Sequence, residues 1–386
     1  MPGCYVLGCA GGGSTAASRL QLREMLRQGH KMRVVDVADL SEEALIYWGG
    51  HMGSPAVSVE RLQSVETCYA FQELMEYLHH DKLDAVMGLE IGGANGMEPF
   101  LVGSSRFFDC PVIDADFMGR AYPTYWQTTL AVHHPRELVP CVIDSGDGKT
   151  IIMTKAPNDE IVDRALRASC AEMGSRVGMA SRPTTTERVR SAGVLNTVSL
   201  AWRIGRCIAV AEATNTMSSV AEAIVEIAGG TKSARILFRG KITQVERRLS
   251  KGHSYGSITI VGEEDDEEGS TACRMPAVKV GGTLRIPFKN ENIYAEHTSE
   301  SGVKEHIAVV PDLIAVLDTG SGCALGVPEF KYGYRVTVVG IACSPHWSNT
   351  KEGIAIGGPR AFGYDLDYKP LGEYVKPRSV IEEYGK

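Results

Sequence analysis

Four apolar residues, Phe71, Leu74, Met75 and Leu78, recur at i, i+3, i+4 and i+7, and the apolar run Ala85–Leu89 follows soon after. That spacing is one face of a helix. A helix delivering its chain into a short apolar strand is the repeating unit of a parallel sheet with helices packed on it. No other pattern in the chain narrows the fold as far, and its neighbours extend it. Cys4–Leu7 reads as a short strand running into the turn Gly8–Ser14. A helix follows from about Ser14, with Leu22, Met25 and Leu26 on one face and Gly29 as its stop. Lys31–Val37 is the next strand, and Val112–Ile113 begins another that Asp114 closes. Ala44–Trp48 leads into a Gly/Pro-rich loop, Gly49–Val57. Asn158 caps a helix over Asp159–Met173, ended by Gly174.

Two more helical faces follow, Leu200, Ile204 and Ile208, then Val220, Ile224 and Ile227, stopped by Gly229 and Gly230. The texture then changes. Ile236–Phe238, Ile242–Val245, Ser257–Val261, Ala277–Val280, Leu284–Phe288, Ile307–Val310, Leu313–Leu317 and Tyr334–Val339 are short, β-rich and punctuated by Gly or Asp. With 386 residues the chain exceeds one ordinary core. The expectation is an N-terminal α/β domain with a mainly parallel sheet over residues 1–172. A β-rich (α+β) C-terminal domain follows over 173–386, with the boundary in Met173–Pro183.

The formal charge of −7 gives the chain no electrostatic reason to seek nucleic acid or an anionic membrane. Its ten cysteines include no C-x-x-C pair, so they read as free, mostly buried thiols of a reducing compartment. No signal peptide and no run of eighteen apolar residues is seen, and the expected location is the cytoplasm. The acidic run 263–268 reads as a solvated hairpin loop. The apolar β-rich half is compatible with a homo-oligomer.

Four segments carry polar groups that packing alone does not call for. The turn holding Gly11, Gly12 and Gly13 offers backbone amides at a helix N-terminus. Its G-x-x-G-G-G pattern is neither a dinucleotide fingerprint nor a P-loop. Asp36 has the placement of a ribose-binding acid, and a turn needed only for packing is an equal reading, but a small polar ligand suits the whole pattern best. His51 stands in the second segment as a candidate base or metal ligand, although a lone loop histidine is more often neither.

The third segment says most. Glu90 follows the strand Ala85–Leu89, two glycines come next, and Asn95 enters a helix. Asp114 and Asp116 end another strand, with Arg120 nearby. In open α/β sheets, ligands bind at the carboxyl ends of strands, and parallel strands would bring Glu90, Asp114 and Asp116 to one edge. Clustered carboxylates there serve either as a general acid and base or as ligands of a hard or borderline metal. The structural alternative is that the aspartates cap a helix and Glu90 pairs with Arg120. In the fourth segment, Asn290, Glu291 and Asn292 either face a ligand or hold a turn. Cys9, near a helix start, is an outlying candidate for a nucleophile or a metal ligand. The adjacent pairs His79–His80 and His133–His134 point to different faces and chelate poorly. No G-x-S-x-G or H-E-x-x-H occurs.

Several of these residues together resemble the S-methyl thiohydantoin desulfurase-like family. They are Gly11 to Gly13, Met52 and Gly53 with Pro55 and Val57, Glu90 with Gly92, Gly93 and Asn95, and Asp114 and Asp116 with Gly119 and Arg120. In the second half Gly240 and Lys241, Asn290 to Asn292, Pro311 and Asp312, and the run Gly358 to Tyr364 continue the resemblance. It runs in the family's order from about residue 7 to about residue 370. It implies a hydrolase of a cyclic amide or thioamide, acting on hydantoin-like rings. The named reaction converts an S-methyl thiohydantoin to a hydantoin and methanethiol. Zinc or another divalent metal is admitted with its ligands left open, and no nucleotide cofactor is expected. The catalytic candidates are Glu90, Asp116 and Arg120. The substrate-binding candidates are Gly11, Gly12, Gly13, Asn95, Asp114, Asn290 and Asn292. The resemblance also admits a non-catalytic partner subunit of a hydantoinase/oxoprolinase-like protein.

Overall fold

The computed structural model describes residues 2–53, 65–250, 252–263 and 275–385. The chain forms two compact units, one of Met1–Gly11 with Leu200–Pro377, the other of Gly12–Ser199 with Arg378–Lys386. The α/β first half with a mainly parallel sheet and the β-rich second half match the sequence expectation. By compactness the division falls between Ser199 and Leu200. The reason is a strand at Arg176–Thr184 that pairs antiparallel with Ile46–Gly53 and so joins the first sheet.

The chain opens on a helix, α1 (Pro2–Leu7), where a strand was expected. Gly8 N–H closes on Cys4 carbonyl, and Cys9 and Ala10 then take positive φ. The glycine turn therefore leaves a helix and not a strand. Helix α1 belongs to the β-rich unit; the α/β unit begins with α2 (Ala16–Arg27), β1 (Val34–Val35), β2 (Ile46–Gly53), α3 (Glu66–Leu78), β3 (Ala85–Gly88), α4 (Glu98–Val102) and β4 (Val112–Asp116). After these come α5 (Thr129–His133), β5 (Cys141–Asp144), β6 (Thr150–Met153), α6 (Asp159–Glu172), β7 (Arg176–Thr184), α7 (Thr186–Ala192) and β8 (Val194–Leu195). Helix α8 (Thr197–Thr214) spans the division.

The sheet order is β1-β4-β3-β2-β7-β5-β6, with β8 on β4. β1, β4, β3 and β2 run parallel, and β7, β5 and β6 extend the sheet antiparallel. Every residue of β3 and β4 is buried, as central strands covered on both faces must be. Trp48 anchors this core. It is fully buried, gives its indole N–H to the Arg182 carbonyl at 2.8 Å, and meets Phe117 edge-on with centroids 4.9 Å apart.

Local signals account for the helix ends. Asn158 Oδ1 accepts Ile161 N–H at 3.0 Å at the start of α6, and α3 stops where His79 turns left-handed. In α2, Leu22 and Met25 are buried while Leu26 is exposed. The strand expected over Lys31–Val37 shrinks to β1 because Asp36 instead accepts Ala38 N–H and caps a 3-10 turn. Gly49 to Gly53, expected as a loop, lie within β2; Pro55 and Val57 are outside the described residues.

The β-rich unit holds α9 (Val220–Ile227), β9 (Ala234–Ser250), β10 (His253–Gly262), β11 (Thr283–Lys289), β12 (Glu291–Asn292), β13 (Tyr294–Thr298), β14 (Lys304–Val309), β15 (Leu313–Asp318) and β16 (Arg335–Ile341). Its antiparallel order is β14-β13-β11-β10-β9-β16-β15, with β12 on β11. Leu284, Ile286 and Phe288 alternate inward on β11, as do Ile258 and Ile260 on β10 and Val336 and Val338 on β16. This period of two puts one face of each strand in a common core. Two expected strands, Ile236–Phe238 and Ile242–Val245, merge into β9. Ala277–Val280 is irregular, although Val278 and Lys279 still donate to the Ile236 and Leu237 carbonyls. Of the acidic run, all but Glu263 lies outside the described residues. No helix among the described residues is long and apolar enough to cross a membrane. The nine described cysteines are free thiols.

Candidate active site

Parallel pairing brings the two principal carboxylates of the α/β unit together. Gly88 of β3 lies opposite Asp116, the last residue of β4, so Glu90, two residues past β3, stands at the same carboxyl edge. Both side chains are buried. Glu90 Oε1 accepts Asn95 Nδ2–H at 2.5 Å, and Oε2 accepts the Tyr122 N–H at 3.1 Å. Asn95 is itself fixed, because its Oδ1 accepts the His51 N–H at 2.8 Å. Asp116 Oδ1 accepts the N–H groups of Met118 and Gly119, each at 2.6 Å. The Thr197 hydroxyl and the Ile91 amide also favour its charged form, but no hydrogen bond of good geometry closes on Oδ2.

These surroundings separate the two acids. Burial pushes Glu90 up to about 8, over the opposing bonds from Asn95 and Tyr122, with the Asp116 charge adding to the rise and Arg120 opposing it. Burial also raises Asp116, but four hydrogen-bonding neighbours hold it to about 6. Of the two, Glu90 holds its proton the more tightly. Split affinities of this kind are the pattern that general acid–base chemistry uses. Buried Arg120 donates from Nε to the Ala121 carbonyl at 3.1 Å, and its guanidinium lies 4.9 Å from the Tyr122 ring centroid.

Asp114 stands two residues before Asp116, on the same face of β4, yet it is engaged elsewhere. Its Oδ1 accepts the Ser199 N–H at 3.0 Å and Oδ2 accepts the Ser199 hydroxyl, so it caps the first turn of α8. Burial raises its affinity for a proton against those bonds. Gly12 and Gly13 meet the Glu90 segment through backbone, for Ala94 N–H donates to the Gly12 carbonyl at 2.8 Å and to Gly13 at 3.1 Å. Gly12 and Gly93 both have positive φ, and a Cβ on Gly93 would run into the backbone of Gly12, one on Gly12 into that of Gly92. The glycines thus let two turns cross at van der Waals contact.

His51, at the end of β2, has partners that the sequence does not reveal. Its Nδ1 lies 3.5 Å from Glu98 Oε1, and its Nε2 lies 3.8 Å from Glu66 Oε2 and 3.4 Å from Arg176. Thr67 bridges the ring, 3.4 Å from Nε2, and Glu98 Oε2, 3.3 Å away. Burial pushes Glu66 up, but His51 and Arg176 together hold it down near 2; burial raises Glu98. Glu66 and Glu98 each open a helix, and acids in a helix first turn are so common that they pass unnoticed.

This cluster is also the test of a metal site. Glu98 and Glu66 approach different nitrogens of the ring, so one ion would not gather all three. Among the described residues no group of three or more His, Cys, Asp or Glu side chains is arranged to hold a metal ion.

In the β-rich unit, Asn290 takes a left-handed φ of 60°, and its Oδ1 accepts the Ser254 N–H at 2.8 Å while Nδ2 meets His253 at 3.2 Å. Asn292 gives Nδ2–H to the Ile314 carbonyl at 2.9 Å, and its own N–H goes to the Cys9 carbonyl at 2.8 Å. Both asparagines hold backbone in place. Glu291 lies against Gly11, where a Cβ would collide with its carboxylate. Asp312 accepts from Cys343 N–H, Tyr368 hydroxyl and Leu371 N–H at 2.8–3.0 Å, so it pins residues of three segments.

Family models match most of the chain: the S-Me-THD-like N-terminal domain over residues 1–155 and the S-Me-THD-like C-terminal domain over residues 157–371. A crystal structure of a protein from Chromobacterium violaceum is similar, with a TM-score of 0.73, 20% identity and 96% of each chain covered. At that identity the likeness concerns the fold alone. None of the curated proteins compared matches the chain.

Proposed function

The chain belongs to the S-Me-THD-like family, and on that premise we propose that it hydrolyses hydantoin-like five-membered rings, with S-methyl thiohydantoin as the substrate class. The observation that carries the reading is the pair Glu90 and Asp116 at one strand edge, the first holding its proton more tightly than the second. Water must add to a ring carbon bonded to nitrogen and sulfur. Asp116 takes one proton from the water while Glu90 gives one to the ring nitrogen. Glu90, now ionised, takes the carbinol proton as the ring carbonyl forms. Asp116 returns its proton to the departing sulfur. The products are hydantoin and methanethiol, and both carboxyls are back in their starting states. Asn95 acts as a positioning residue, because both ends of its amide are spent on Glu90 and on the His51 backbone. Arg120 supplies the nearby positive charge that steadies charge developing on the ring.

Purified protein incubated with an S-methylated thiohydantoin is expected to release methanethiol, with and without a chelator. Release abolished by the chelator would place a metal in the reaction and overturn the carboxylate-only scheme. No release from folded protein would contradict the hydrolase reading and favour a non-catalytic partner of a hydantoinase/oxoprolinase-like enzyme.

A further inference from the structure

Strand β9 is longer than the sheet that covers it. It pairs with β10 over Gly240 to Ser250, but with β16 only over Ala234 to Lys241. Beyond the two bonds that join Ile242 to Gly333 and Tyr334, the β16 side of residues 243–250 carries no strand among the described residues. Alternate N–H and C=O groups along this edge therefore face away from β10. An edge of this length with no strand on it among the described residues is a template for pairing with another strand.

The side chains decide which strand fits. An antiparallel pair about a two-fold axis through Arg247 sets Glu246 opposite Arg248 and Val245 opposite Leu249, each twice. Opposite charges and apolar pairs directly across a ladder are favourable. The one like-charge meeting, Arg247 with itself, is defused. Its guanidinium turns away to donate to the Val327 and Phe330 carbonyls. Leu249 is 63% exposed at one end of the edge, and Tyr332, beside the Gly333 turn at the other end, is 74% exposed. Charges that merely guarded the edge would not need this register, nor an exposed leucine within it.

We propose that the free edge of β9 over residues 243–250 pairs antiparallel with the same edge of a second copy of the chain, joining two sheets into one across a two-fold axis. The isologous contact follows from the self-complementary order Val245, Glu246, Arg247, Arg248, Leu249.

Sedimentation or light scattering of the purified full chain is expected to give twice the monomer mass. Arg248→Glu sets glutamate against glutamate twice and is expected to raise the dimer dissociation constant by roughly tenfold or more. Adding Glu246→Arg in the same chain restores the opposite-charge pairs and is expected to restore the dimer. A monomeric wild type would overturn the proposal. So would a dimer indifferent to Arg248→Glu, or an exchanged pair that stays monomeric while folded. None of these outcomes depends on catalysis.

Discussion

Replacing Glu90 by Gln is expected to lower turnover of an S-methyl thiohydantoin by about 10²–10⁴-fold, the usual contribution of a positioned acid or base. Gln keeps the volume of the side chain, so no cavity opens. It has one acceptor oxygen where Glu90 has two, and those two receive Asn95 Nδ2–H and the Tyr122 N–H. One of these donors loses its partner, at about 1–3 kcal/mol. The variant should thus fold, melt somewhat early and be nearly inactive. Turnover compared with wild type, alongside thermal melting, checks both halves. Unchanged turnover would remove Glu90 from the chemistry.

Gly93→Ala is expected to destabilise the α/β unit by about 2–5 kcal/mol, from a left-handed alanine and from overpacking together. Gly93 has a φ of 63°, and a Cβ there would strike the backbone of Gly12, which itself sits at a φ of 71°. Neither neighbour is a flexible side-chain end that could swing aside. The turn would have to open, carrying with it the Ala94 bonds to Gly12 and Gly13 and the start of the segment that holds Asn95. Denaturant unfolding with an unchanged slope and a lowered midpoint is the expected readout. A midpoint equal to wild type would show that the two turns are not tightly crossed.

The parallel half of the first sheet was legible because its information is local. Phe71 and Leu74 mark one helix face, β3 is apolar throughout, and Glu90 follows, as Asp116 ends, a strand that parallel pairing must set beside the other. What failed was fixed by distant partners. The run Cys4–Leu7 has strand composition, but it is a helix whose Tyr5 hydroxyl donates to Glu329, 324 residues away. Asp114 and Asp116 look alike in the sequence; only Ser199, 85 residues on, separates a helix cap from an acid held by the turn that follows it. His51 reads as a lone histidine because Glu66, Glu98 and Arg176 come from three other elements. Asn290 and Asn292 could each have bound a ligand or held a turn, and their hydrogen bonds to Ser254 and Ile314 are long-range.

The rate of methanethiol release as a function of pH tests the division of labour between the two carboxyls most directly. Asp116 must be ionised, so the rate should rise as pH passes about 6, and Glu90 must be protonated, so it should fall as pH passes about 8. The account predicts a bell with limbs near those values, and the loss of its alkaline limb in any residual activity of Glu90→Gln. A profile flat across this range, or one rising steadily through pH 8, would contradict it.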